Sequence, residues 1–331
     1  MLDIRRRRFI TLLGGAAAWP LSARAQQALT PVIGVLSPTS PAAAVRNIAA
    51  LRQGLRELGY IDGRNIAIEY RFAEGVTERL DKLVAELVAL KPALIVVGST
   101  LGIVAAHAVT TTVPLITIGL SGDDPVHLGL AQSFARPGGN LTGFLLSANA
   151  GLVGKRLSLL RGAVPRISRL GVIANPDSPG DAAELTVLPS IASQLRLHYR
   201  VFEVRTPEQL DAAFAAIAQD SFHALYVSWT PILNTHRARV IALAGQARLP
   251  AVYGFREFVR AGGLMSYGPD LPDLYRRAAS YIDKILKGEK PGDLPLQAAD
   301  KYELLINLNT AKALGLTISE SFLLLADEVI E

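Results

Sequence analysis

Small hydroxyl, amide, aromatic and charged side chains recur in short clusters directly after apolar runs of the chain. Ser37 and Thr39 follow the first run, Ser99 and Thr100 the third, and Ser121 and Asp123 the fourth. Farther along, Asn175, Trp229 and the set Tyr253, Arg256 and Glu257 hold equivalent places, and Ser266 comes last. Hydroxyls at the start of a helix, beside its free backbone N–H groups, suit a carboxylate held at the positive end of the helix dipole. The same hydroxyls also suit plain helix capping, and the two roles stay open at Ser37, Thr39, Ser99 and Thr100. Asp123 suits a ligand ammonium, whereas Asp124 before Pro125 reads as a turn. A large ring such as Trp229 suits stacking on an apolar or aromatic ligand, or a place in the core. Arg256 suits a carboxylate and Glu257 an ammonium, or the two form an ion pair.

Bond-making chemistry finds little support. The five histidines, His107, His127, His198, His223 and His236, have no close metal-ligand spacing, and the chain has no Cys. Arg136-Pro137-Gly138-Gly139-Asn140 lacks the Lys-Ser/Thr of a phosphate loop, and Ser99-Thr100-Leu101-Gly102 lacks the full nucleophile elbow. Nothing in the sequence calls for a catalytic residue, a metal or a cofactor.

Alternating elements must position these clusters. Val32–Leu36, Ile66–Tyr70, Leu94–Val97, Leu115–Ile118 and Gly143–Leu146 read as strands, with helices over Ala42–Leu58, Val76–Leu90 and Gly102–Thr110. A second series follows: strands at Leu170–Ala174, Tyr199–Val204, Ala224–Val227 and Ala251–Tyr253, with helices over Asp181–Leu195, Pro207–Ala218 and Thr235–Ala247. This is an α/β pattern laid down twice, two Rossmann-like lobes with parallel sheets. In such sheets a ligand binds outside the carboxyl ends of the strands, where the clusters fall.

Length and composition agree. At 331 residues, half of them apolar and 19% charged, the chain supports two folded lobes. Most of the net charge of +5 sits in the first 25 residues, which hold Arg5, Arg6, Arg7, Arg8 and Arg24 against Asp3. The body therefore lacks the clustered Lys and Arg of a nucleic-acid surface. Residues 1–25 have the layout of a cleavable secretory signal: a basic run, an apolar stretch from Phe9 to about Leu21, and Ala23-Arg24-Ala25 before a cleavage point. Arg6-Arg7-Arg8-Phe9-Ile10 resembles the twin-arginine export signal, with Thr11 where a Lys is common. Cleavage is expected after Ala25 and the mature protein in the periplasm, without membrane insertion.

Several runs carry a family resemblance across nearly the whole chain. They are Arg7-Arg8-Phe9-Ile10-Thr11-Leu12-Leu13-Gly14-Gly15, Asp124-Pro125-Val126, Arg136 to Gly143, Phe255-Arg256-Glu257-Phe258, Ala261 to Gly268, Ile285 to Pro291, Asn307 to Leu316 and Ala326 to Ile330. Together they resemble the tryptophan/tyrosine-type substrate-binding proteins of ABC transporters. The resemblance implies a type I periplasmic-binding architecture with a three-strand hinge, and lobes of residues 28–145 plus 268–292 and 146–267 plus 293–331. It implies capture of a small molecule, an amino acid or an aromatic or branched carboxylic acid, without chemistry, and delivery to an ABC permease and its ATPase. A monomer is the default for such a protein. A periplasmic sensor subunit is the main alternative and an exported hydrolase a weaker one.

Overall fold

The computed structural model describes residues 30–120, 125–126, 128–146, 151–164 and 166–331. The export signal, Ser121 and Asp123 lie outside the described residues. The chain begins with β1 (Val32–Ser37), α1 (Pro41–Glu57), β2 (Ala67–Phe72), α2 (Leu80–Ala89), β3 (Leu94–Val97), α3 (Thr100–Val109), β4 (Leu115–Leu120) and β5 (Leu141–Leu145). It crosses to a second lobe with α4 (Gly151–Ala163), β6 (Arg169–Ala174), α5 (Pro179–Gln194), β7 (His198–Glu203), α6 (Gln209–Ala218) and β8 (Ala224–Val227). There follow α7 (Pro231–Thr235), α8 (Arg237–Gln246), β9 (Ala251–Tyr253), α9 (Arg256–Arg260) and β10 (Met265–Pro269). A return to the first lobe adds α10 (Leu271–Leu286) and β11 (Leu296–Ala298). The last crossing leads to β12 (Tyr302–Asn307), α11 (Leu308–Ala313), α12 (Glu320–Leu323) and β13 (Glu328–Ile330).

Among the described residues one sheet has the order β11-β5-β4-β3-β1-β2 and the other β13-β12-β10-β9-β8-β6-β7. Every pairing is parallel except that of β10 with β12. Parallel strands covered on both faces bury every side chain, which is why the central strands are continuous apolar runs. In β3, Leu94 and Val96 pack into one core layer while Ile95 and Val97 pack into the other. The second lobe repeats this on β8, with Ala224 and Tyr226 on one face and Leu225 and Val227 on the other.

The structure differs from the sequence reading in three respects. Leu296–Ala298 pairs with β5, so the first lobe extends beyond residue 292, and Gly268 lies within β10 of the second sheet. The helix expected over Val76–Leu90 begins as a 3-10 turn at Thr77–Arg79, and that expected over Thr235–Ala247 is α7 followed by α8. The helix α4 carries Gly151, Gly154 and Gly162, which weaken its local signal.

The crossings lie side by side. Asp270 N donates to Lys301 O at 3.1 Å, joining the second crossing to the third. Ala299 N donates to Leu145 O at 2.9 Å, and Tyr302 OH to Leu146 O at 3.3 Å, tying the third to the end of β5. Among the described residues no helix is long and apolar enough to cross a membrane.

Candidate functional site

A cavity of about 590 Å³, counting its open mouth, lies between the lobes. The strand orders explain its position. From β1 the chain goes to β2 on one side and then to β3 on the other, and from β6 it goes to β7 on one side and to β8 on the other. Each reversal leaves a crevice at the carboxyl ends of the two strands that flank it. Pro38 after β1 and Ser99 after β3 face Asn175 after β6 and Trp229 after β8, so the two crevices close on one another.

Helix N-termini enter from both sides. In the first lobe Ser99 is the N-cap of α3: its Oγ accepts from Gly102 N at 3.0 Å, and Thr100 Oγ1 donates to Gly119 O at 3.3 Å. Gly119 admits this turn, since a Cβ there would lie 2.5 Å from the carbonyl carbon of Gly98. In the second lobe Ser178 and Pro179 open α5, and Thr230 and Pro231 open α7, all on the cavity wall. Thr230 Oγ1 caps Leu233 N at 3.2 Å, whereas Ser178 makes no such cap. The aligned dipoles at the N-termini of α3 and α5 favour a negative group between them.

The rest of the wall is apolar or weakly polar, including Val76, Leu80, Pro179, Trp229 and Ile232, and none of its described side chains is charged. Trp229 is half-buried and leans on Phe255, with ring centroids 4.9 Å apart and planes at 51°. The lobes touch at the rim. Gly75, with φ +84, passes so close to Ile232 that a Cβ would lie 3.0 Å from the Ile232 Cα.

Of the residues read from sequence, Ser99, Thr100, Asn175 and Trp229 come together on this cavity. Ser37 and Thr39 do not line it. They are buried against one another, with their hydroxyls 3.3 Å apart, and only Pro38 between them reaches the space. Tyr253, Arg256, Glu257 and Ser266 also lie off the lining, because β9 and β10 stand beyond β8, farther from the reversal of strand order. Tyr253 is 1% exposed, stacked on Phe258 in the core, and burial pushes its phenol well above the usual range. Arg256 meets Glu303 and Glu328, each at 2.9 Å, and Asp270 at 3.8 Å beside the crossings. Glu257 Oε1 and the Ser266 Oγ are buried without a hydrogen-bond partner among the described residues.

The sequence reading missed Gly75, Ser178 and Ile232, and Thr230 stood in a strand-end cluster without being chosen as a ligand contact. The signal for two of them was the hydroxyl–proline pair, Ser178-Pro179 and Thr230-Pro231, which marks an N-cap followed by the first residue of a helix.

Over residues 32–330 the chain matches the family described as ABC transporter substrate binding protein. It belongs to that family. This substrate-binding protein is 27% identical, over 266 residues, to a tyrosine-binding protein of Clostridioides difficile (strain R20291), covering 80% of this chain and 75% of the other. A conserved domain protein from Vibrio cholerae superposes with a TM-score of 0.83 at 25% identity, covering 91% of this chain and 99% of its own. An ABC domain from Streptococcus pneumonia, solved in complex with L-Trp, gives a TM-score of 0.82 at 24% identity and covers 91% of this chain and all of its own, a likeness of fold. The two lobes are thus those of a type I periplasmic binding protein.

Proposed function

We propose that this substrate-binding protein captures an aromatic amino acid, or a related aromatic or branched carboxylic acid, and presents it to an ABC permease and its ATPase for import. The observation that carries this reading is the interlobe cavity, uncharged among the described residues, into which α3 and α5 point their N-termini from opposite sides, with Trp229 on the wall. A carboxylate there gains N–H donors from both lobes at once, so it draws the lobes together. Helix dipole contributions of about 0.3–2 kcal/mol each make closure depend on the ligand. The ring of Trp229 with Ile232 and Val76 covers the apolar part of the ligand. Asp123, three residues past β4, is the proposed partner of a ligand ammonium. The tyrosine-binding relative supports the ligand class. Export through residues 1–25, with cleavage after Ala25, and periplasmic capture complete the reading.

A thermal-shift and calorimetric screen tests it, using L-tyrosine, L-tryptophan, L-phenylalanine, the branched-chain amino acids and their deaminated acids. A ligand at one hundred times its Kd stabilises by about 2.7 kcal/mol. The expected outcome is a melting shift with an aromatic member and recovery of that compound unchanged. Absence of binding by every aromatic and branched acid at millimolar concentration overturns the proposal.

A further inference from the structure

Beneath the second-lobe wall lies a carboxyl group with no cation of its own. Asp181, in the first turn of α5, is 2% exposed. Its Oδ2 accepts from Asn175 N at 2.7 Å and from the Ser228 hydroxyl at 2.5 Å. Asn175 lines the cavity, Ser228 immediately precedes Trp229, and Ser178 and Pro179 begin the helix that carries Asp181. One oxygen atom therefore joins the end of β6, the start of α5 and the end of β8, the three segments that make this wall.

The surrounding charges are committed elsewhere. Glu184, one turn along α5, takes Arg156 Nη1 at 2.7 Å and the Tyr226 hydroxyl at 2.7 Å. Arg156, 3% exposed, also gives Nη1 to the Tyr226 oxygen at 2.9 Å and Nε to Tyr267 O at 2.8 Å. Asp181 and Glu184 share a small pocket with Val153, Val172 and Leu188.

We propose that Asp181 is a positioning residue for ligand capture, holding Asn175 and Ser228–Trp229 at the spacing that the closed cavity requires. Only the binding arm of the test rests on the capture reading above. The role needs an acceptor oxygen rather than a charge, and an unpaired charge at this depth is costly. Burial, then the charge of Glu184, holds the Asp181 carboxyl well above the ordinary carboxylate range. The hydrogen bonds from Ser228 and Asn175, and the more distant Arg156, pull it the other way. An Asp181 carboxyl raised in this way keeps its proton to higher pH than an ordinary carboxylate, and loss of that proton as the pH rises places a second negative charge beside Glu184. The groups that face it are Glu184 on its own helix, Arg156 from α4, Tyr226 from β8 and Ser228 just after that strand.

The test uses the full chain with Trp19→Phe, which leaves Trp229 the sole tryptophan. Trp229 emission is followed as the pH rises from the acidic into the alkaline range, and L-tyrosine affinity is measured by calorimetry. The parent protein is expected to show an emission transition that Asp181→Asn lacks, because the amide keeps the acceptor and cannot titrate. Asp181→Asn should bind L-tyrosine within about threefold of the parent, and Asp181→Leu at least about tenfold more weakly. Ser228→Ala, which leaves the carboxyl in place, should move the emission transition to higher pH and serves if the leucine variant does not fold. Persistence of the emission transition in Asp181→Asn, or parental affinity in Asp181→Leu, overturns the proposal. If the parent does not bind L-tyrosine, the binding arm uses the acid found by the screen; if the parent binds no acid of the screen, the ligand reading fails and the emission arm still decides the role of Asp181.

Discussion

Closing the lobes should be preventable with one methyl group. Gly75 sits in the turn after β2, tied to the first lobe by its N–H to Pro38 O at 2.8 Å, while Ile232 belongs to α7 of the second lobe. A Cβ at Gly75 would stand 3.0 Å from Ile232 Cα, 3.4 Å from its N and 3.5 Å from its Cβ. Nonbonded carbon pairs settle at about 3.5–4.0 Å, so the alanine forces the rim apart. Overpacking of this kind costs roughly 1–3 kcal/mol, and it arises only in the closed arrangement. Since each ~1.4 kcal/mol is tenfold in affinity, Gly75→Ala should weaken ligand binding by about 5- to 140-fold.

The backbone supplies the control for this substitution. Gly75 has φ +84, and any side chain there strains the left-handed backbone by about 1–3 kcal/mol whether the lobes are open or closed. Gly59 has φ +85, and a Cβ there would meet nothing within 4 Å, so Gly59→Ala bears the same strain without the contact. Both variants should melt earlier than the parent, and only Gly75→Ala should lose affinity in calorimetry with the ligand found by the screen. Small-angle scattering should show Gly75→Ala closing less completely when ligand is added. Equal affinities for the two variants would refute the assignment of the Gly75–Ile232 contact to closure.

Two further outcomes follow from the same geometry. Trp229 touches the core layers of both lobes, so Trp229→Ala should cost about 2–3 kcal/mol in urea unfolding as well as ligand affinity. A cost at or below the foot of the ~3–5 kcal/mol aromatic-to-alanine range is expected because the ring is half-buried. Glu303 is pushed up to about 7 by burial, opposed by Arg256 and reinforced by Asp270, Glu257 and Glu328. A carboxyl raised in the folded state above its ordinary 4.5 makes the fold bind extra protons, so this contribution is present at acidic pH and lost as the pH rises through about 7. Glu303→Gln should flatten the fall in melting temperature over that window, and an unchanged slope would remove Glu303 as its source.

The central strands were legible because burial on both faces demands continuous apolar residues, as in Leu94–Val97 and Ala224–Val227. The strands of the last crossing were not. β11 and β13 have three residues each, and their pairing with β5 and β12 depends on where the chain recrosses, which no local pattern encodes. Helix α4 was hidden by its glycines and by Arg156, a charge that reads as surface in sequence and is buried only because Glu184 and Tyr226 receive it.

The site divided along the same line. Proximity to a strand end was visible for every candidate, and it brought Ser99, Thr100, Asn175 and Trp229 to the cavity. It did not separate them from Tyr253 and Arg256, which also end or follow a strand. What separates them is strand order: β9 lies one strand beyond β8, on the side away from the reversal between β6 and β8. At that distance a strand end faces the crossings instead of the ligand crevice, and Arg256 finds its partners there, in Asp270, Glu303 and Glu328. Phe255 spans the two regions, with its ring on Trp229 and its neighbour Arg256 in the ion cluster. A residue read as a ligand contact thus stands one step behind the wall, its charge matched at the crossings and kept off the described lining.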